Sequence, residues 1–529
     1  MVIRWTILLG WWALAGSGLL AQEIAWSAPQ MKPQGDRSAV AESWLGTVGD
    51  HTYLALAGDK AAHIVQFDAT GAVAGHLDPD LKVGRSQGTY LYSALLVDRL
   101  LVFAATSRGK SVAYQVMARA FGLPDLEPLG RWQRIETGPY KLGEHVGSPR
   151  TFALTVSPDR RRFGLLSAPY PNVRIKGHSM IGVVADTGLQ VLARHLIHAR
   201  QGDPLPQPDG FAVDDSGRML LYQHDRSAGR WQAKVLPLSG EPQPMTIAQE
   251  GLFLHSGMLA PGPKGWTWVG FYGEAAHPAH QGMYHTQLDL AAGKHGPVHT
   301  QPLLGHLPPR MTDQARFSLD LQLFAYQPTH WLARPEGGHF LVAEQRLLDG
   351  NNEPSQRQVA QIAAPHLFPQ LRESPRSYLY QGVVIVALQA DGTVEGMQFL
   401  PRQGRSKVAL HHAPTHGPAP RPEQEVGLGY AAALHEGTLH LAFNEYPEEL
   451  GQPLSARSHN GKFRQAETSL IHWRWDGTSQ PKSWPLFANA STAIFLQPPR
   501  CAQTTSDQWW LYGSTTSPRQ FFVGLLRWE

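Results

Sequence analysis

The feature that most constrains this chain is a recurring unit: a turn, a short unbroken apolar or aromatic run, and often a second hairpin. The runs are Tyr53-Leu54-Ala55-Leu56-Ala57, Leu101-Val102-Phe103-Ala104-Ala105, Phe163-Gly164-Leu165-Leu166 and Met219-Leu220-Leu221-Tyr222-Gln223. They continue with Thr267-Trp268-Val269-Gly270-Phe271, Phe340-Leu341-Val342-Ala343, Leu439-His440-Leu441-Ala442-Phe443 and Trp509-Trp510-Leu511-Tyr512. Most are preceded by residues suited to a tight reversal: Gly49-Asp50, Pro158-Asp159, Asp215-Ser216-Gly217, Gly262-Pro263-Lys264-Gly265, Glu336-Gly337-Gly338 and Glu436-Gly437. Glycine supplies positive φ there, and aspartate bonds its own backbone. No helical period of more than about three turns competes with this pattern after residue 21.

Each run is read as the first strand of a unit. Second hairpins follow at Ile64–Val73, Ile181–Gly188 and Val383–Val394, so two hairpins make a four-stranded sheet. A small sheet with two apolar faces cannot bury both alone, and such sheets repeating roughly every 50 to 70 residues are the sequence form of a β-propeller. The reading is therefore all-β: an eight-bladed propeller of four-stranded sheets, with seven blades as the alternative, spanning 22–529 as one domain. Two stacked β-sandwiches are the structural competitor. They predict a linker near the middle, whereas the Pro- and His-rich stretches around 275–310 and 401–425 read as long loops between blades.

The last unit is a strand short. After Trp509-Trp510-Leu511-Tyr512 only Phe521 to Trp528 remains, and Glu23-Ile24-Ala25-Trp26 is the segment expected to complete that sheet. Pairing the N- and C-terminal strands would close the ring and remove an exposed edge.

Residues 1–21 read as a secretory signal, with Arg4 as the positive n-region, an apolar stretch from Trp5 to Leu20, and small residues Gly16, Ser17, Gly18 and Ala21 near a cleavage site. An uncleaved anchor is the alternative. Cleavage implies a chain with no remaining membrane span, located in the periplasm or at the cell surface. The single cysteine, Cys501, can make neither an intrachain disulfide nor a thiolate zinc site. It reads as a small buried hydrophobe. A chain of 529 residues, 42% of them hydrophobic, can fill a core without disulfides. Its 46 Lys and Arg against 43 Asp and Glu give +3, too balanced and too scattered for nucleic-acid binding. The run Arg160-Arg161-Arg162 reads as a solvated turn.

Three stretches carry a resemblance: Arg334-Pro335-Glu336-Gly337-Gly338-His339-Phe340-Leu341-Val342-Ala343-Glu344-Gln345, then Val383 to Val394, then Leu439-His440-Leu441-Ala442-Phe443-Asn444-Glu445. Over roughly residues 330–450 the chain resembles a group of uncharacterised secreted bacterial propeller-like proteins, which implies the same fold and carries no activity with it. Gly265-Trp266-Thr267-Trp268 matches the tail of the sialidase turn Ser-x-Asp-x-Gly-x-Thr-Trp. Pro261 and Pro263 stand at its Ser and Asp positions, so that match fails.

Propeller symmetry places equivalent strand ends on one ring, which gathers the candidate ligand-binding residues His224, Asp225, Glu274, Glu344, Gln345, Asn444 and Glu445. Two such carboxylates would suit acid-base chemistry on a carbohydrate. The competing reading is that they satisfy backbone amides where strands meet water. The 25 histidines cluster at His277, His280 and His285, at His295 and His299, and at His411, His412 and His416. These lie in Gly/Pro-rich segments without a helical frame, so no metal and no cofactor are expected. No His-Glu-x-x-His, Gly-x-Ser-x-Gly or phosphate-binding loop occurs. The strand tryptophans Trp266, Trp268, Trp473, Trp475, Trp509 and Trp510 read as packing between blades, with sugar stacking as the alternative. The functional expectation is a non-enzymatic binding or scaffold protein of the bacterial envelope, engaging an unidentified protein or glycan. A carbohydrate hydrolase or lyase is the alternative.

Overall fold

A computed structural model describes residues 24–27, 30–31, 40–57, 61–106, 113–141, 152–167, 178–199, 208–262, 265–275, 279–307, 323, 326–349, 376–408, 429–450, 468–488, 494–497, 500–514 and 520–527. The expected signal segment lies outside them. The strands form an eight-bladed β-propeller. Seven blades are consecutive antiparallel meanders, beginning at Val40–Val48, Thr89–Leu95, Phe152–Val156, Gly210–Val213, Phe253–Gly262, Tyr326–Ala333 and Ala431–His435.

The eighth blade is built from both ends of the chain, as expected. Its inner strands Phe495–Leu496 and Ala502–Thr505 pair with Gln508–Ser514, which pairs with Gln520–Arg527. Ile24–Trp26 then pairs antiparallel with that last strand, Ile24 opposite Leu526 and Trp26 opposite Gly524. Ser27 extends the seam: its amide donates to the Val523 carbonyl at 2.7 Å, and its hydroxyl accepts the Val523 amide at 3.1 Å.

The core is divided among the gaps between blades. One apolar cluster joins blades 1 and 2, another blades 2 and 3, and so on around the ring. Leu54, Phe67, Trp510 and Val523 fill the gap between blades 8 and 1. That continuity excludes two separate sandwich cores. Each fully buried large apolar side chain contributes about 2–3 kcal/mol, so a blade without neighbours loses most of its stabilisation. The tryptophans follow this plan: Trp266 and Trp268 lie between blades 4 and 5, Trp473 and Trp475 between 6 and 7. Trp509 faces blade 7 and Trp510 faces blade 1, because successive strand residues point to opposite sides.

The strands read from sequence as first in each unit are second. His51–Ala57 follows Val40–Val48, and Gly265–Gly273 follows Phe253–Gly262, in the same order throughout. Consecutive first strands adjoin one another around much of the ring and line its axis. Their apolar signal is weaker: every residue of Ala502–Thr505 is half-buried, whereas Arg99–Thr106 is buried at all but one position.

Candidate functional site

The meander order gives the propeller two unlike faces. Where second strands begin, the joining segments are tight: Gly49-Asp50, Glu436-Gly437 and Ser506-Asp507. Asp214 caps one such turn, accepting the amides of Ser216 (2.9 Å) and Arg218 (2.7 Å). Asp68, Asp391 and Asp476 do the same in turns between third and fourth strands. Burial alone would raise the Asp476 carboxyl, but bonds from Ser479 and Thr478 outweigh it and bring its pKa to about 2.

The arginine run lies on this short-turn face and is not simply solvated. Arg160 Nη1 donates to the Thr47 carbonyl of blade 1 at 3.1 Å, and the Arg160 carbonyl accepts the Val97 amide of blade 2, also at 3.1 Å. Gly46, at φ +121°, makes room: a Cβ there would sit 2.6 Å from Arg160 Nη2. Arg162 donates to the Asp215 carbonyl, and the Asp159 amide to the Asp215 carboxylate at 2.8 Å, both in blade 4. Only Arg161 of the three is fully exposed.

The candidate residues lie on the opposite face, where second strands end. The connections 303–325, 350–375, 409–430 and 446–468 begin and end there. Blade 6 also projects beyond its neighbours on this side: its strands His339–Asp349, Arg376–Leu388 and Val394–Val408 pair out to Asp349 opposite Ser377 and Arg376 opposite Val408. Bulges after Glu344 and Tyr380 mark the departure.

Three of the seven candidates lie on or beside the second strands of blades 4 and 5. The His224 amide donates to Asp209 Oδ2 at 2.7 Å, its Nε2 lies 2.6 Å from the Leu254 carbonyl, and its ring stacks on Trp231 at 4.5 Å. Burial, then the Arg226 charge, lowers its pKa to about 3. Asp225 closes its own hairpin, accepting from the Ser227 hydroxyl (2.7 Å), the Ala228 amide (3.2 Å) and Arg230 Nε (3.1 Å). The Ser227 bond is the largest influence holding its carboxyl below the usual range. Glu274 is exposed and accepts from Gln281 Nε2 at 2.8 Å.

The other four are buried at blades 6 and 7, and the register separates them. Glu344 pairs with Val383, which packs toward blade 7; Glu445 pairs with Ser469, two residues from the Ile471–Phe443 pair that packs toward blade 6. Glu344 (3% exposed) and Glu445 (5%) therefore enter the same gap. Gln345 pairs with Tyr326 on the blade 5 side, and Asn444 with Leu470 on the blade 8 side. Arg402, which the sequence reading missed, enters the Glu344–Glu445 gap. Its guanidinium lies 4.9 Å from the Phe443 ring centre, and Nη1 donates to the Gly429 carbonyl at 2.5 Å. Thr329 donates to the Val342 carbonyl at 2.9 Å and bonds the Tyr430 hydroxyl nearby.

Among the described residues no group of three or more His, Cys, Asp or Glu is arranged to hold a metal ion. His285 and His299 stack at 5.2 Å, and Trp331 stacks on His339 at 4.3 Å. His277, His411, His412 and His416 lie outside the described residues. Cys501 is half-buried against the gap between blades 7 and 8; burial pushes its thiol up to about 12. Among the described residues no helix is long and apolar enough to cross a membrane.

No protein-family model and no curated protein matches the chain. Solved propeller structures do. The WD40 domain of SCAP from fission yeast superposes with a TM-score of 0.39 at 9% identity, over 94% of this chain and 98% of that one. The β-propeller domain of the Trilobed protease from Pyrococcus furiosus gives 0.32 at 8% identity, over 82% and 95%. Prolyl oligopeptidase B from Galerina marginata gives 0.37 at 9%, over 94% of this chain but 56% of that one, so the chain spans about half that enzyme's length. These likenesses are of fold alone.

Proposed function

We propose that the chain is a non-enzymatic binding or scaffold protein, exported by its N-terminal segment to the periplasm or cell surface of a bacterium. It holds a protein or glycan partner on the face where second strands end. The observation that carries this reading is the unequal distribution of chain between the two faces. On one face most connections are short and several are capped by aspartate; on the other the long connections leave and rejoin the strands, and the sheet of blade 6 projects. Rigid scaffolds that present variable loops on one side are suited to recognition.

The bonding of the strand-end acids supports binding over the hydrolase or lyase alternative. Asp225 is engaged by its own hairpin and Glu274 by Gln281, while Glu344 and Glu445 are packed between blades. An acid-base pair needs two carboxylates presented to one substrate.

The test is crosslinking of the tagged chain in envelope extracts. Replacing 350–375 by an Asn-Gly turn should lower recovery of its partner about tenfold or more, as loss of a hot spot does. Asp50→Asn on the opposite face should leave recovery unchanged. Turnover of a glycan panel that disappears in the Glu344→Gln, Glu445→Gln double variant would replace this reading with the enzymatic one.

A further inference from the structure

The gap between blades 7 and 8 contains two imidazoles with no part in partner binding. His440, on Thr438–Glu445, and His472, on Ser469–Trp475, lie on adjacent strands with His440 Nδ1 2.9 Å from His472 Nε2. Their rings stack at 5.1 Å and they are 4% and 0% exposed. His472 pairs with Ala442, which packs against Trp509, Leu511 and Leu526 of blade 8, so both imidazoles face the closing blade. Trp484, from the fourth strand, lies 4.5 Å from the His472 ring, and Trp509, from blade 8, 6.2 Å.

Cationic and basic groups stand against the pair. Arg474 neighbours it on the third strand, with Lys482 opposite on the fourth. His435, on the first strand, lies 6.5 Å from His440 and 3.1 Å from the Ser506 carbonyl of blade 8. Burial, the other imidazole and Arg474 all hold His440 below the ordinary histidine range; burial and Arg474 do so for His472. The 2.9 Å contact needs one N–H between the two nitrogens. Two imidazolium ions would face donor to donor and must separate.

We propose that this gap is an acid-sensitive latch, in which proton uptake by His440 and His472 releases the closing blade from blade 7. The gap on the other side of blade 8 is filled by Trp44, Phe67 and Trp510; His63 and His76 stand on that face of blade 1, opposite Leu56 and Val65, but His63 Nδ1 lies 2.6 Å from an Asp78 carboxylate oxygen that can accept its N–H, so the donor-to-donor clash belongs to the blade 7 side. In the closed state the pair binds protons poorly. Once exposed, each imidazole titrates near 6.5, so the open state binds more protons and opening becomes easier as pH falls. Lowering the pH from 7.5 to 5 multiplies the opening constant by about 30 for each exposed imidazole, about a thousandfold for both.

Cys501, the chain's one thiol, packs against this gap and is a native reporter. Its labelling by a pyridyl disulfide, which reacts in acid, is measured relative to a model thiol between pH 7.5 and 5. The expected result is a rise approaching a thousandfold, largely removed in the His440→Phe, His472→Phe variant. Amide exchange, corrected for its intrinsic pH dependence, gives a second readout on the unmodified protein. The Leu434 amide, bonded to Gln503 of blade 8 at 2.8 Å, should lose protection in acid while Leu101 in blade 2 keeps it. A flat labelling profile, simultaneous loss of protection in both blades, or a double-Phe variant with undiminished pH dependence overturns the latch.

Discussion

On the short-turn face, blades are tied to one another: Arg160 of blade 3 bonds blade 1, Asp159 bonds blade 4, and Gly46 leaves space for that arginine from two blades away. On the opposite face His224 reaches blade 5, but Asp225 and Glu274 bond within their own blades, and the connections between strands grow to 350–375 and 409–430. The same meander produces both faces. The difference is that on one side the turns themselves make the interblade bonds, whereas on the other those bonds come from buried groups such as His224 and Arg402 and not from exposed acids such as Glu274. Substitution in the turns should therefore cost stability on one side, and substitution of an exposed acid should leave it nearly unchanged on the other.

Gly338 should show the largest effect. At φ +81°, its Cβ would stand 2.1 Å from the Leu388 carbonyl, so Gly338→Ala combines strain with a backbone clash. A loss of about 3 kcal/mol or more is expected by chemical denaturation, and a loss under about 1 kcal/mol would break the comparison. Arg160→Ala comes next, at about 2 kcal/mol, because a charged donor leaves the Thr47 carbonyl without its bond. Glu274→Gln, on the loop-bearing face, should shift stability by no more than about 0.5 kcal/mol, since its carboxylate is exposed. A larger shift would mean that this face, too, holds the ring together.

The second strands were legible because each is flanked inside its blade and covered on both sides by neighbouring blades. Trp509-Trp510 records both contacts in successive residues. First strands touch the axis on one side, so Gly210–Val213 offers only three apolar residues and Ala502–Thr505 one, and the count began one strand too far out. Glu344-Gln345 and Asn444-Glu445 stood out because an acid or amide comes straight after an apolar run, and all four are buried. Gln345 and Asn444, each next to one of these acids, enter the opposite gaps because successive strand residues alternate, which a ring of strand ends read as one set overlooks. Arg402 and Arg160 were missed for another reason. One reaches the Gly429 carbonyl and the other Thr47, 113 residues away, and no local pattern records such a pairing.

The blade completed by Ile24–Trp26 also sets a timetable for biogenesis. That strand is synthesised about 500 residues before its mate, Gln520–Arg527, so annular assembly has to await that mate. Until then Leu54, Leu56 and Phe67 at one margin, and Ala442 and Leu470 at the other, stay uncovered. A holdase shielding those two margins would be needed most in the interval just before the closing strand arrives.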